Sequence, residues 1–435
     1  MIDSSVRKLG IGVAVMMIAA ACGTGSATPT PAPTPTKAPA TSAPAATGTP
    51  AATGTPAGSG TPAASGTPGA SGTPGASGTP GASSAPPDGS AYSFGYSNAF
   101  GVGNGFREEQ LCTSKAEALV AGAKASTWLH AENADYDQKQ QITDLIEKHP
   151  NAIIFNPNSP DGYQAEIDKA QEQNITMVAI DGYVTDAETL NITNDQFNYG
   201  YIGATWLFDK LNGQGNVYYM RGIVGHPADL DRHAGVMKAL EEHPGIHLLP
   251  SNDGVGTDWN PDKGTELMSG PGGILNNGVY ETIQGIWTSG IDQQVVDAIQ
   301  ASGKPFVPIV GADLKGFVEQ LLHKDPKYNG LEGIAVYNPA AIGGAGVRLA
   351  IESLNGESFE TQTFTRTTAD GVDHQIKAVV LPEPLSYAND TPDGMQKLAE
   401  IDVEGLNVLW PVSWYINGWT DYTLDQMLAC KGPGE

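Results

Sequence analysis

The chain is 435 residues long and carries 23 basic against 48 acidic side chains, a formal charge of −25. An acidic balance of this size excludes nucleic acid and anionic membrane surfaces as electrostatic partners. Cysteine occurs only at Cys22, Cys112 and Cys430, too few and too widely spaced for a zinc site, and neither a metal nor a cofactor is expected.

Residues 1–21 read as a secretion signal. Arg7 and Lys8 precede an apolar run over 9–21, which is too short to remain as a spanning helix. Ala19-Ala20-Ala21 leads directly into Cys22, which resembles a bacterial lipoprotein cleavage site and makes Cys22 a lipidated N-terminus. Residues 22–90 are almost only Pro, Thr, Ala, Gly and Ser, and a proline recurs every six residues from Pro50 to Pro86. Such a composition cannot bury a core. It reads as a disordered stalk reaching tens of Å, at about 5–6 Å times the square root of its length.

From residue 91 the pattern alternates. Strands are expected at 92–96, 127–130, 152–155, 176–180 and 190–192, with helices at 106–125, 138–148, 164–173 and 199–211. A glycine-rich turn, 101–105, lies between the first strand and helix. It lacks the spacing of a dinucleotide fingerprint and the Lys-Ser/Thr of a P-loop. A second series follows, with strands at 217–220, 246–249, 282–287, 306–310 and 333–336. Its helices are expected at 230–243, 261–268, 293–301, 316–323 and 341–354. The stretch 152–184 shows the logic most clearly. Two apolar runs of strand length end abruptly at Asn156 and Asp181, and the helix between them has the length of a right-handed parallel crossover. In open parallel sheets ligands bind beyond the carboxyl ends of the strands. Two strand-helix series with polar strand ends predict two doubly wound α/β lobes. Beyond 354 the pattern is less regular. One strand is expected at 375–381, then loop and short helix over 385–435, where Trp410, Trp414 and Trp419 read as packing.

The stretches Tyr96-Ser97-Asn98-Ala99-Phe100, Phe155-Asn156-Pro157-Asn158 and Ile180-Asp181-Gly182 are recognisable. So are Asp231-Arg232-His233, Thr257-Asp258-Trp259-Asn260 and Val310-Gly311-Ala312-Asp313. In this order and spacing they resemble the type I periplasmic sugar-binding proteins, the ribose-binding receptors of ABC importers. The resemblance implies two Rossmann-like lobes joined by a three-segment hinge near 195–196, 337–338 and after 375, with hinge closure on a ligand. The lobes are then 91–195 plus 338–375 and 196–337 plus 376–385, with 386–435 as a C-terminal extension.

The same resemblance proposes the ligand contacts. Asn98, Phe100, Asn156, Asp181 and Asn194 come from the first lobe. Arg232, Trp259, Trp287 or Ser289, Asp313, and Tyr337 or Asn338 complete the set. Planar Asp, Asn and Arg groups suit the paired hydroxyls of a sugar, and aromatic faces suit its C–H faces. Gly182-Tyr183 stands where the ribose-type pattern has an arginine after the aspartate, leaving one charge fewer and more room. Thr288-Ser289-Gly290 replaces an Asn-Asp pair.

With Cys22 lipidated, Cys112 and Cys430 remain, and an exported chain can oxidise them to a disulfide that pins the tail to the first lobe and leaves the hinge free. The expected protein is a monomeric, non-catalytic receptor for a sugar or polyol. It is anchored to the membrane only through lipid and delivers its ligand to an ABC permease. Two alternatives are a sensory receptor for a membrane kinase and an exported hydrolase using Ser97, whose Gly95-Tyr96-Ser97-Asn98-Ala99 setting is close to a nucleophile elbow.

Overall fold

A computed structural model describes residues 86–98, 103–130, 138–367 and 372–435. Cys22, the stalk and Phe100 lie outside these residues. The first lobe begins with β1 (Phe94–Asn98), α1 (Gly105–Val120), β2 (Thr127–His130), α2 (Gln138–Ile146), β3 (Ala152–Phe155), α3 (Gln164–Glu172), β4 (Thr176–Ile180) and β5 (Leu190–Thr193). The second holds α4 (Gln196–Lys210), β6 (Gln214–Arg221), α5 (Pro227–Glu242), β7 (Gly245–Leu249), β8 (Val255–Gly256), α6 (Pro261–Ser269), β9 (Gly285–Trp287), α7 (Asp292–Ser302), β10 (Ile309–Ala312), α8 (Lys315–Leu321) and β11 (Gly333–Val336). The chain then returns through α9 (Ile342–Leu354), β12 (Gln362–Thr367) and β13 (Asp373–Val380). It ends with β14 (Ser386–Ala388), α10 (Pro392–Ile401) and α11 (Leu424–Ala429).

Strand periodicity divides the first lobe's core. Ile153 and Phe155 of β3, with Met177 and Ala179 of β4, pack under α2 and α3. Their neighbours Ile154, Val178 and Ile180 point the other way and pack with Phe94 and Tyr96 under α9. The sheet is therefore covered on both faces, which is why its central strands read as unbroken apolar runs. Its order is β12-β13-β5-β4-β3-β1-β2, and the second lobe's sheet runs β14-β11-β10-β9-β6-β7 with β8 beside β6. The two doubly wound α/β lobes are present as expected.

Several boundaries differ. α4 starts at Gln196 rather than 199, because Asp195 caps it by accepting from the Asn198 N–H at 3.0 Å. β12 was not expected at all. It reads QTFTRT, with Phe364 its only large apolar residue, and lies at a sheet edge, paired antiparallel to β13. The third crossing comes later than residue 375. β13 continues parallel to β5 as far as Val380, with Ile376, Ala378 and Val379 buried, so 376–380 belongs to the first lobe.

The tail departs most from expectation. β14 pairs antiparallel with β11, so the extension begins inside the second lobe's sheet. Further on, residues 408–413 lie antiparallel to the chain leaving β10. Gly316 donates to the Val408 carbonyl at 2.8 Å, Lys315 to Trp410 at 2.9 Å, and Val412 back to Asp313 at 2.9 Å. Ile416 then joins the first lobe's core, and the Asp421 N–H donates to Glu117 Oε2 at 2.8 Å. α11 packs on α1 behind a Thr423–Gln426 capping box, and Cys430 is disulfide-bonded to Cys112. The disulfide is the expected one, but the tail is bonded to both lobes. It makes a fourth crossing between Ser413 and Ile416, so it does not leave the hinge free.

Candidate ligand-binding site

Strand ends of both lobes meet in one cavity of about 650 Å³, counted with its open mouth. Its polar lining comes from Asn104, Arg107, Asp181, Arg232 and Asn338, and Trp259 forms an aromatic wall.

Asp181 ends β4 in a left-handed conformation, φ 65°. Its carboxylate accepts from Gln196 Nε2 at 2.8 Å and, at 3.5 Å, from Asn156 Nδ2. Burial pushes this carboxyl up from its ordinary value, against the pull of Arg232, Arg107 and the two amides. Gln196, the first residue of α4, also accepts from Arg232 Nε at 2.7 Å. Close packing of α4 on α5 fixes that distance. A Cβ on Gly200 would fall 2.1 Å from the Arg232 carbonyl oxygen, so only glycine fits. The Arg232 guanidinium lies over the Tyr199 ring at 4.1 Å and 5.6 Å from the Trp259 ring.

Trp259 has φ 49° and its Nε1 donates to Ser289 Oγ at 3.4 Å. Its ring lies against Gly222, where a Cβ would be 2.0 Å from Cε2, and meets His226 edge-on at 5.1 Å. His226 caps α5 through Nδ1, and burial holds its imidazole well below the usual range, hence neutral.

The expected contacts thus separate. Asp181, Arg232, Trp259 and Asn338 line the cavity. Asn98, Asn156, Asn194 and Ser289 stand behind them. Asn98 Oδ1 accepts from Arg107 Nη1 at 2.8 Å, and Asn194 Nδ2 donates to Asn338 Oδ1 at 3.0 Å. Asp313 is fully buried, but its carboxylate accepts from the Asn338 N–H at 3.0 Å and the Ser413 N–H at 3.1 Å, so it anchors the hinge and the tail. Trp287 is core, edge-on to Tyr219 at 5.2 Å, and Tyr337 packs on Tyr387 at 5.6 Å. Neither lines the cavity: Trp287 points into the sheet's helical face, and Tyr337 turns toward β14. Ser97 is fully buried and donates to Gln141 Oε1 at 2.7 Å, so it offers no nucleophile to the cleft.

Arg107 was not anticipated. It sits in the first turn of α1, buried, with Nη2 3.4 Å from His226 Nε2 of the other lobe. It restores the charge thought missing beside Asp181, since the two groups pull each other electrostatically. A signal existed in the sequence. A cation in a helix's first turn opposes the helix dipole, and its placement there needs a compensating reason. Gln196, Leu409 and Pro411 were also missed.

The fold and site define a two-lobed α/β protein with a polar, aromatic-walled cavity between its lobes. Residues 94–358 match the periplasmic binding protein domain, and the chain belongs to that family. The xylitol-binding protein of Mycolicibacterium smegmatis is 25% identical over 278 residues, 62% of this chain and 76% of that protein. The ribose import binding protein of Escherichia coli is 24% identical over 237 residues, 54% and 76%. The binding protein of the arabinose ABC transporter from Shewanella sp. ANA-3, solved with L-arabinofuranose, shares the fold. Its TM-score is 0.58 at 19% identity, covering 71% of this chain and 95% of that one.

Proposed function

We propose that this protein is the extracytoplasmic receptor of an ABC importer. It captures a neutral sugar or polyol between its lobes and hands it to the permease without breaking a bond. The observation that carries this reading is the Asp181–Gln196–Arg232 relay, which joins the lobes in a cavity lined by Arg107, Asn338 and Trp259. A carboxylate and two guanidiniums hold hydroxyl pairs in two directions, with Asp181 offsetting one of the two positive charges. The family's relatives that bind xylitol and ribose support the ligand class. Lipidation at Cys22 tethers the receptor, and the stalk sets its reach. The test is a thermal-shift screen with neutral pentoses, hexoses and pentitols. A ligand at a hundred times its dissociation constant should stabilise by about 2.7 kcal/mol. No shift with any of them, beside a shift with an amino acid or an anion, overturns the reading.

A further inference from the structure

We propose that the C-terminal tail is the specificity wall of this cavity, and that it selects a sugar whose end is methyl or bare C–H over the same sugar ending in hydroxymethyl. This rests on the sugar-binding reading above.

The family domain ends at residue 358, and the wall comes from beyond it. Leu409 and Pro411 line the cavity beside Ala312 and Leu314, the residues leaving β10. Leu314 and Pro411 are antiparallel bridge partners, so the four form one continuous surface. The seat is built from both sides. A Cβ on Gly105, at the start of α1, would fall 2.0 Å from the Leu409 carbonyl oxygen, so the first lobe accepts the tail only with glycine there. Asp402 fastens the approach with ion pairs to Lys315, at 2.7 Å, and Lys324.

The tail's part of this wall offers a hydroxyl no backbone donor. The N–H of Leu409 donates to Asn407 Oδ1 at 2.9 Å and that of Trp410 to the Asn407 carbonyl at 2.9 Å. Pro411 has no N–H. The N–H groups of Val412 and Ser413 go to Asp313, at 2.9 and 3.1 Å. The four wall side chains are apolar, whereas Asp181, Arg232 and Asn338 form a separate, connected polar group around Gln196. The tail therefore adds an apolar surface to a lining whose polar groups are Asn104, Arg107, Asp181, Arg232 and Asn338. A ligand that touches both presents hydroxyls to Gln196's neighbours and carbon to the tail. A hydroxyl pressed on that wall would lose water without gaining a donor.

The experiment is calorimetric titration of the full mature chain with matched pairs. These are galactose, mannose and glucose against their 6-deoxy forms, and ribose and arabinose against their 5-deoxy forms. In whichever series binds, the deoxy sugar should bind roughly tenfold to a hundredfold tighter, the upper figure being the scale an apolar pocket reaches against one added hydroxyl. Leu409→Asn, which supplies a donor, should abolish that preference, the parent sugar gaining on its deoxy form. Should Leu409→Asn melt well below the native chain, Leu409→Ala gives the same readout by opening the wall. If the parent sugar binds as tightly as its deoxy form, or the variants keep the preference, the wall does not select, and the sugar receptor stands without it. If no member of any pair binds, this inference fails, whereas the proposed function falls only if the pentitols fail to bind as well.

Discussion

Asp181 of the first lobe and Arg232 of the second are joined through one amide, Gln196, which donates to the first at 2.8 Å and accepts from the second at 2.7 Å. Among the described residues no protein group accepts from the Nη groups of Arg232, so these donors remain for a ligand. The relay also explains why Asp181 tolerates burial. Asp181→Ala should cost roughly 2–5 kcal/mol of ligand binding, as loss of one partner from a buried charged pair does. Gln196→Ala should weaken binding less, because both charges can still reach a ligand hydroxyl. Titration calorimetry of the two variants checks the order. Equal losses would mean that the amide itself contacts the ligand.

Trp259 is both packed and facing the cavity. Its ring rests on Gly222 and His226, and its other surface lines the site. Trp259→Ala should lower affinity by roughly 2–4 kcal/mol, as buried aromatic anchors do. Gly222→Ala tests the seat without touching the ring's chemistry. A methyl there cannot coexist with the present ring position, so affinity should fall with the ring displaced. Unchanged affinity in both variants, with a lowered melting temperature, would make Trp259 structural only.

The fold was largely legible, because buried parallel strands announce themselves as short apolar runs ending in polar residues. Ala152–Phe155 and Thr176–Ile180 are such runs. β12 was not, since a half-exposed edge strand carries little apolar signal. In the site, residues at strand ends were found, but their roles were not. Asn98 and Asp181 both end strands, yet one supports Arg107 from beneath while the other faces the cavity. Leu409 and Pro411 were invisible, because a tail's position over a cleft depends on pairing with residues a hundred positions earlier, such as Ser413 with Asp313.

The disulfide should matter to binding as well as to stability. Cys112 and Cys430 hold the far end of the tail whose middle walls the cavity. Cys430→Ser should cost about 2–4 kcal/mol of stability. It should also lower ligand affinity, whereas a disulfide remote from the site would leave affinity intact. Melting curves and titrations with and without reductant measure both, and two free thiols in the native mature chain would contradict the bond.

The anchor is tested by Cys22→Ser. The variant should leave the membrane fraction for the soluble exported fraction. Retention in the membrane would show that something other than a lipid on Cys22 holds it.

The tail's docking also predicts a pH dependence. Glu117 is fully buried on α1, and its Oε2 accepts the Asp421 N–H at 2.8 Å. Burial pushes its carboxyl up to about 8 from an ordinary 4.5; the Asp421 N–H and Arg348 oppose this, while the charges of Asp421 and Glu352 add to it. Between those two values the folded chain holds a proton that the unfolded chain has released. Stability conferred by Glu117 is therefore full below the unfolded value and declines as pH rises toward the folded one. Asp292, raised to about 7, and Glu109, raised well above its ordinary value, act in the same direction. The native chain should thus melt at a higher temperature near pH 5 than near pH 8. Glu117→Gln keeps a group that can accept the Asp421 N–H and cannot ionise, so it should remove this residue's share of the slope. The informative quantity is the difference between native and variant melting temperatures across that range. It should change in the variant's favour as pH rises, and a difference that stays constant from pH 5 to 8 would mean that Glu117 keeps its ordinary titration in the fold.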